Sequence, residues 1–190
     1  MSKKNKNKFN QKKAIKARIE SKNRSFEESI SNGIHPENRW CLGVLVSHLH
    51  ASEQAFYLIR SANDFLSKCV GVDIILYAEN LSNICVPSLC PVMPMESISF
   101  HDGPIIATNL GSLTEIYNLN IAGPKYLYIM DPQTLMDAGN ILSDKIRVIT
   151  ASQDYAKIFK ARTGIKPIGV VPHFNIEKMV QNIGSEILNG

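Results

Sequence analysis

The sequence predicts an α/β protein: a single open, doubly wound domain with a mostly parallel sheet, preceded by a basic N-terminal arm. Three observations lead to this fold class. Continuous apolar runs alternate along the chain with segments whose apolar residues recur at helical spacing. The runs lack the apolar–polar alternation of half-exposed strands, so we expect strands buried on both faces, as in parallel sheets. Positive charge is concentrated at the start of the chain, outside this alternation.

The first unit of the domain is predicted to be a strand, a helix and a second strand. Residues 40–47 (WCLGVLVS) form a continuous apolar run rich in β-branched residues and leucine. In 48–69 the apolar residues recur at helical spacing, and Ser52 is placed to serve as an N-cap. Residues 72–78 (VDIILYA) predict the next strand.

The middle of the chain is less regular. Residues 79–103 contain three prolines, and we expect a short strand there at 85–87 (CVP). The apolar run 104–110 (PIIATNL) predicts another buried strand. Ser112 and Glu115 have the spacing of a capping box, which predicts that a short helix begins there.

The last third continues the alternation of strands and helices. Each strand is predicted from an apolar run and each helix from helical spacing of apolar residues. The predicted strands are 125–132, 145–152 and 166–172. The predicted helices are 133–139, 153–163 and a final helix that starts near Asn175. Gly164 is placed to end the helix 153–163, since glycine is the preferred residue after a helix.

Charge divides the chain into a basic arm (1–24), a linker (25–38) and the α/β domain (39–190). The arm holds ten basic residues and one acidic residue, a net charge of +9, whereas the remainder has a net charge of −5. Such an arm is expected to bind nucleic acid or an acidic protein surface, in a manner that salt weakens. The arm residues predicted to bind the partner are Lys3, Lys4, Lys6, Lys8, Lys12, Lys13, Lys16 and Arg18.

Several classes of protein are excluded on composition. No apolar run approaches the roughly 18 residues that span a membrane, and the lysine-rich start has no apolar stretch behind it, so neither membrane insertion nor export is expected. The four cysteines form no CxxC pair and are interpreted as reduced thiols that pack as small apolar groups. We therefore predict no metal site and no cofactor, and a location in the cytoplasm or within a virus particle.

Polar side chains follow several predicted strands, and ligands bind at the carboxyl ends of strands in open α/β sheets. His48 follows the first strand and Asp131 closes the strand that begins at Lys125, so these two are the candidate catalytic bases. An aspartate before a proline is also typical of a strand-ending turn. His48 and His50 could instead orient an acceptor or bind a metal, and in an extended segment their rings would share a face.

A second group of residues is predicted to bind a ligand. The segment TNLGS opens a helix, where free backbone N–H groups and the helix dipole favour an anion; a capped helix in a turn is the structural alternative. The sequence has no phosphate-binding glycine motif and no nucleophile-elbow motif. The candidate ligand-binding residues are Thr108, Asn109, Gly111, Ser112, Ser152 and His173.

The segment VITASQDYAKIFKARTGIKPIGVVPHFN and the preceding strand YLYIMD, which ends at Asp131, carry a likeness to a known family. Through them the region from Trp40 to Asn175 resembles the N-terminal, acceptor-side half of GT-B glycosyltransferases. In that family a strand, a serine, a helix, a glycine and a second strand that ends in a turn follow one another, and Ser152, Gly164, Pro172 and Asn175 stand at comparable places. The resemblance implies a Rossmann-like domain. In that family the sugar nucleotide binds mainly to a second domain, with a glutamate-rich motif, that follows this turn. About 15 residues follow here, so we expect no autonomous transferase activity.

Two functions are predicted. The first is a non-catalytic, glycosyltransferase-like domain that acts as a structural or binding component of a larger assembly, anchored by its basic arm. The composition, rich in Asn, Ile and Lys, resembles that of large tailed phages, which implies a virion component. The alternative is the acceptor-binding half of a split GT-B glycosyltransferase whose sugar-nucleotide domain is on another chain. A nucleotide- or phosphate-binding regulator is a third interpretation.

Overall fold

A computed structural model describes residues 40–68, 71–82, 84–119, 121, 123–141 and 146–189. The arm (1–24) and the linker (25–38) lie outside the described residues, and so do all eight of the arm's predicted partner-binding residues. Their predicted roles remain predictions.

The described residues confirm the predicted fold class, and the sheet they form is parallel throughout. Its strands are β1 (Trp40–His48), β2 (Val72–Asn80), β3 (Val92–Pro94), β4 (Ile105–Ala107), β5 (Lys125–Ile129), β6 (Ile146–Thr150) and β7 (Gly169–Val170). The helices are α1 (Glu53–Lys68), α2 (Leu110–Asn118), α3 (Pro132–Ile141), α4 (Gln153–Thr163) and α5 (Ile176–Asn189). Short 3-10 helices span Met95–Phe100 and Pro172–Phe174.

The strand order is β3-β2-β1-β4-β5-β6-β7, with every neighbouring pair parallel. This is the order of a Rossmann-like sheet: the chain builds outward from β1 in one direction, then returns to the other side of β1 and builds outward again. The direction changes between β1 and β4. A crevice opens at such a point because the connections leave in opposite directions.

Helices cover both faces of the sheet, so the domain is doubly wound. On one face α1 and α5 pack against strand side chains such as Leu42 and Leu76. On the other face α2, α3 and α4 pack against side chains such as Leu45 and Leu127. Phe159, from α4, is fully buried in this second layer. Burial on both faces explains why β1 reads as a continuous apolar run.

The predicted strand at 85–87 is wrong, and the strand in this region is β3. Side-chain hydrogen bonds hold the earlier segment as a loop: Asn63 Nδ2 donates to Pro87 O (2.9 Å), and Leu89 N donates to Asn63 Oδ1 (2.7 Å). Val92–Pro94 pairs instead with β2 as a short edge strand. A proline at its end is tolerated because the outer side of an edge strand has no neighbour that needs its N–H.

The predicted capping box at Ser112 is also wrong. Helix α2 begins at Leu110, and Asn109 is the N-cap, since its Oδ1 accepts a hydrogen bond from Ser112 N (2.9 Å). Asparagine caps helices at least as well as serine, so the earlier residue takes the position. The predicted strand 104–110 is shortened accordingly to Ile105–Ala107.

The predicted ends of three other helices are confirmed. Ser52 Oγ accepts from Ala55 N (3.2 Å) at the start of α1, and Asn175 Oδ1 accepts from Lys178 N (2.9 Å) at the start of α5. Gly164 ends α4 in the left-handed conformation, with φ of 73°. The last strand is shorter than predicted, because Pro172 begins a tight turn immediately after Val171.

Candidate functional site

A crevice of about 320 Å³ lies at the carboxyl ends of β1, β4 and β5, where the strand order changes direction. Its position is the one in which open α/β sheets bind ligands. The lining residues are Val46, Ser47, His48, Ser52, Gln54, Ala55, Leu58, Thr108, Asn109, Met130, Asp131 and Phe174.

Three helices begin at this crevice, and each begins with a capping residue that lines it. Ser52 caps α1, Asn109 caps α2, and Asp131 caps α3. The partial positive charge at each helix N-terminus is therefore directed toward the same space. This convergence follows from topology, because each helix leaves the carboxyl end of a neighbouring strand.

Thr108 and Asn109 tie the floor of the crevice together. Thr108 is buried, and its Oγ1 donates to Leu45 O (2.7 Å), which joins the end of β4 to β1. Asn109 Nδ2 donates to Ser47 Oγ (3.0 Å) while its Oδ1 caps α2. Thr108 and Asn109, which were predicted to bind a ligand, therefore connect the end of β4 to β1 and fix the shape of the crevice between these two strands.

Asp131, a candidate catalytic base, accepts hydrogen bonds on both carboxylate oxygens. Thr134 N donates to Oδ1 (2.8 Å) and Thr134 Oγ1 donates to Oδ2 (2.7 Å). These bonds are those of an N-cap at the start of α3, a role that the sequence did not predict for this residue. The carboxylate lies in the crevice wall, where it adds negative charge beside the helix termini.

His48, the other candidate base, stands at the exposed mouth of the crevice. Its ring stacks on that of His50, with centroids 3.9 Å apart and planes inclined by 13°. The two rings therefore lie on one face, which is the arrangement expected of them in an extended segment. Within the part of the chain that the structure describes, no group of three or more His, Cys, Asp or Glu side chains could hold a metal ion.

The remaining predicted ligand-binding residues do not line the crevice. Gly111 is exposed in the first turn of α2, and Ser112 is fully buried behind it. Ser152 caps α4 at the end of the more distant β6, where its Oγ accepts from Tyr155 N (3.1 Å). His173 lies on the exposed turn after β7, with its ring centroid 5.6 Å from that of Tyr57.

Eight of the twelve lining residues were not among the predicted site residues, and Gln54, Met130 and Phe174 are three of these. Met130 belongs to the predicted strand 125–132, and Phe174 lies in the turn that follows the last predicted strand. In that turn His173 and Phe174 have φ of 50° and 51°, a conformation that non-glycine residues seldom adopt. Phe174 packs on Tyr128, with ring centroids 4.8 Å apart.

The described cysteines are free thiols outside the crevice: Cys41, Cys85 and Cys90. Burial, with the nearby carboxylates of Asp73 and Asp102, raises the pKa of Cys41 to about 11. This thiol therefore stays protonated at neutral pH and is a poor nucleophile. Cys69 lies outside the described residues.

The described lining is mostly uncharged. Hydroxyl and amide groups alternate with the apolar side chains of Leu58, Met130 and Phe174, and Asp131 supplies a negative charge. A hydroxyl-bearing or amide-bearing ligand group matches this surface, because it can exchange hydrogen bonds with such groups while its carbon skeleton contacts the apolar ones. No helix among the described residues is long and apolar enough to cross a membrane.

Comparison of the chain with protein-family models, with curated proteins and with solved structures finds no match. The resemblance to GT-B glycosyltransferases therefore remains a prediction from the sequence.

Proposed function

We propose that this chain is a non-catalytic, glycosyltransferase-like binding module that forms part of a larger assembly, such as a virion, and is anchored there by its basic arm. The observation that carries the proposal is the use of polar side chains in the crevice. Asp131, Thr108 and Asn109 all hold backbone or side-chain groups of the domain itself. This supports a preformed binding surface rather than a set of free acid and base groups.

Charge supports the anchoring role of the arm. Residues 1–24 carry a net charge of +9, whereas the rest of the chain carries −5. The positive charge of the arm is larger than solubility of the chain requires. A phosphate backbone or an acidic protein surface would neutralise it, and either contact would weaken steeply as salt rises.

The alternative function is the acceptor-binding half of a split GT-B glycosyltransferase. One observation favours it: His48 and Asp131 line the same crevice, so an imidazole and a carboxylate come together where an acceptor hydroxyl could lie. A partner chain would then supply the sugar-nucleotide domain, and one of these two residues would remove a proton from the acceptor.

The double variant His48→Ala, Asp131→Asn distinguishes the two functions. Asparagine keeps the capping oxygen of α3 and removes the charge, so the fold should be retained. We expect recovery of the assembly from the native source, measured by affinity purification, to be unchanged. Under the alternative, sugar transfer by the purified complex would fall by about 100-fold or more.

The matched control is His50→Ala, which removes the stacked ring outside the crevice. Loss of assembly in the double variant, with a normal circular dichroism spectrum and an unaffected control, would show that both role assignments are wrong.

A further inference from the structure

A second concave surface lies at the edge of the sheet formed by β7, opposite the edge formed by β3. It is a groove of about 460 Å³ between helix α4 and the segment 166–170, which includes β7. Ala156, Lys157 and Lys160 form its helical wall. Lys160 follows Lys157 by three residues and Ala156 by four along α4, so these side chains emerge on one face of the helix.

The groove stays open because the sheet stops at β7. This strand pairs with β6 on one side, and among the described residues no strand lies on its other side. The floor is aliphatic, formed by Pro167, Ile168 and Val170. Half-buried apolar side chains and one edge of a strand therefore line the groove together.

Three lysines surround this floor: Lys157, Lys160 and Lys166. Lys157 makes a long ion pair with Asp154 (3.8 Å), in which both side chains are largely exposed. Neither Lys160 nor Lys166 has an ion-pair partner among the described residues. The groove is consequently positive, although the domain outside the arm is acidic in sum.

We propose that this groove binds an acidic, extended segment of a partner protein. The inference rests on the proposed function, since it identifies one surface through which the domain joins its assembly. The lysines match carboxylate side chains, the aliphatic floor matches the apolar residues between them, and the edge of β7 can pair with a peptide backbone. Pro167 has no N–H, and the Ile168 N–H already donates to Val148 O (2.8 Å), so such pairing is confined to residues 169–170.

The same features favour a peptide over a single-stranded nucleic acid. Single-stranded nucleic acids are bound by positive grooves that also carry aromatic side chains, on which the bases stack. The described lining of this groove contains aliphatic and polar side chains, with no aromatic ring. Lys166 and Pro167 stand beside the edge strand β7, and such residues can also serve to prevent an edge strand from pairing with another chain. Binding of a peptide to the groove distinguishes a docking site from this protective role.

The test uses the full chain and a fluorescent peptide of alternating glutamate and valine, with binding measured by fluorescence anisotropy. The groove variant is Lys157→Ala, Lys160→Ala, Lys166→Ala. The control, Arg60→Ala, Lys68→Ala, Lys178→Ala, removes the same charge from helices α1 and α5, away from both the groove and the arm. We expect the groove variant to weaken binding about tenfold, the control to weaken it less than about threefold, and bound peptide to protect the amides of 169–170 from hydrogen exchange.

Three results would overturn the proposal: no binding of the peptide, equal weakening by both variants, or an oligothymidylate that displaces the peptide and protects the same amides. If the peptide fails to bind while the chain still co-purifies with its assembly, the groove is not the docking surface and the proposed function stands.

Discussion

Replacing Gly103 by alanine is expected to lower the free energy of unfolding by about 3 kcal/mol or more. A Cβ at this position would lie far inside the contact distance of the Cys41 carbonyl oxygen. Cys41 belongs to β1, the strand that pairs with both β2 and β4, so its backbone cannot move aside without disturbing the centre of the sheet. Chemical denaturation of the purified variant measures the loss.

Gly184→Ala is the matched control for this substitution. Gly184 lies within α5, and a Cβ there would meet no other atom within 4 Å. Alanine is favoured over glycine in a helix, so this variant should be more stable by up to about 1 kcal/mol. Equal stability of the two variants would contradict the close approach of Gly103 to β1. The residues after Gly103 lead into β4, and a shift there would also displace Thr108 and Asn109.

Tyr128→Phe is expected to destabilise the domain by about 1–3 kcal/mol and to loosen one wall of the crevice. The buried hydroxyl donates to Val171 O (2.7 Å) and accepts from Phe174 N (3.4 Å). Phenylalanine keeps the ring but leaves both backbone groups without this partner. The turn that holds His173 and Phe174 at positive φ would lose both of these hydrogen bonds.

Hydrogen exchange at the Phe174 amide, together with denaturation, measures this effect. Tyr117→Phe provides the control, because Tyr117 is 54% exposed on α2 and its hydroxyl can bond to water. We expect the control to change stability by less than about 0.5 kcal/mol. An unchanged exchange rate at Phe174 in Tyr128→Phe would show that the turn is held by other contacts.

Long apolar runs made most of this fold predictable. The strand from Trp40 is buried on both faces, and such burial requires apolar residues at every position rather than at alternate ones. Short elements were harder to predict: β3 has three residues and is fixed by pairing with β2, not by its own pattern. The start of α2 was predicted too late in the chain, because both Asn109 and Ser112 are residue types that favour the N-cap position and the sequence does not show that Asn109 occupies it.

The site was predictable to the extent that it follows from topology. Placing polar residues at the carboxyl ends of strands correctly brought His48, Thr108, Asn109 and Asp131 to one crevice. Ser152 was excluded by strand order, since β6 is separated from β4 by β5. Phe174 escaped prediction because its position depends on a left-handed turn formed by residues that rarely adopt it.

The most direct test of the central claim is affinity purification of the tagged protein from its native source, with and without residues 1–24, at low and at high salt. We predict that assembly proteins or nucleic acid co-purify with the full chain at low salt, and that high salt or removal of the arm releases them. A companion chain with a sugar-nucleotide domain, retained without the arm and at high salt, would contradict the account and identify this chain as half of an enzyme.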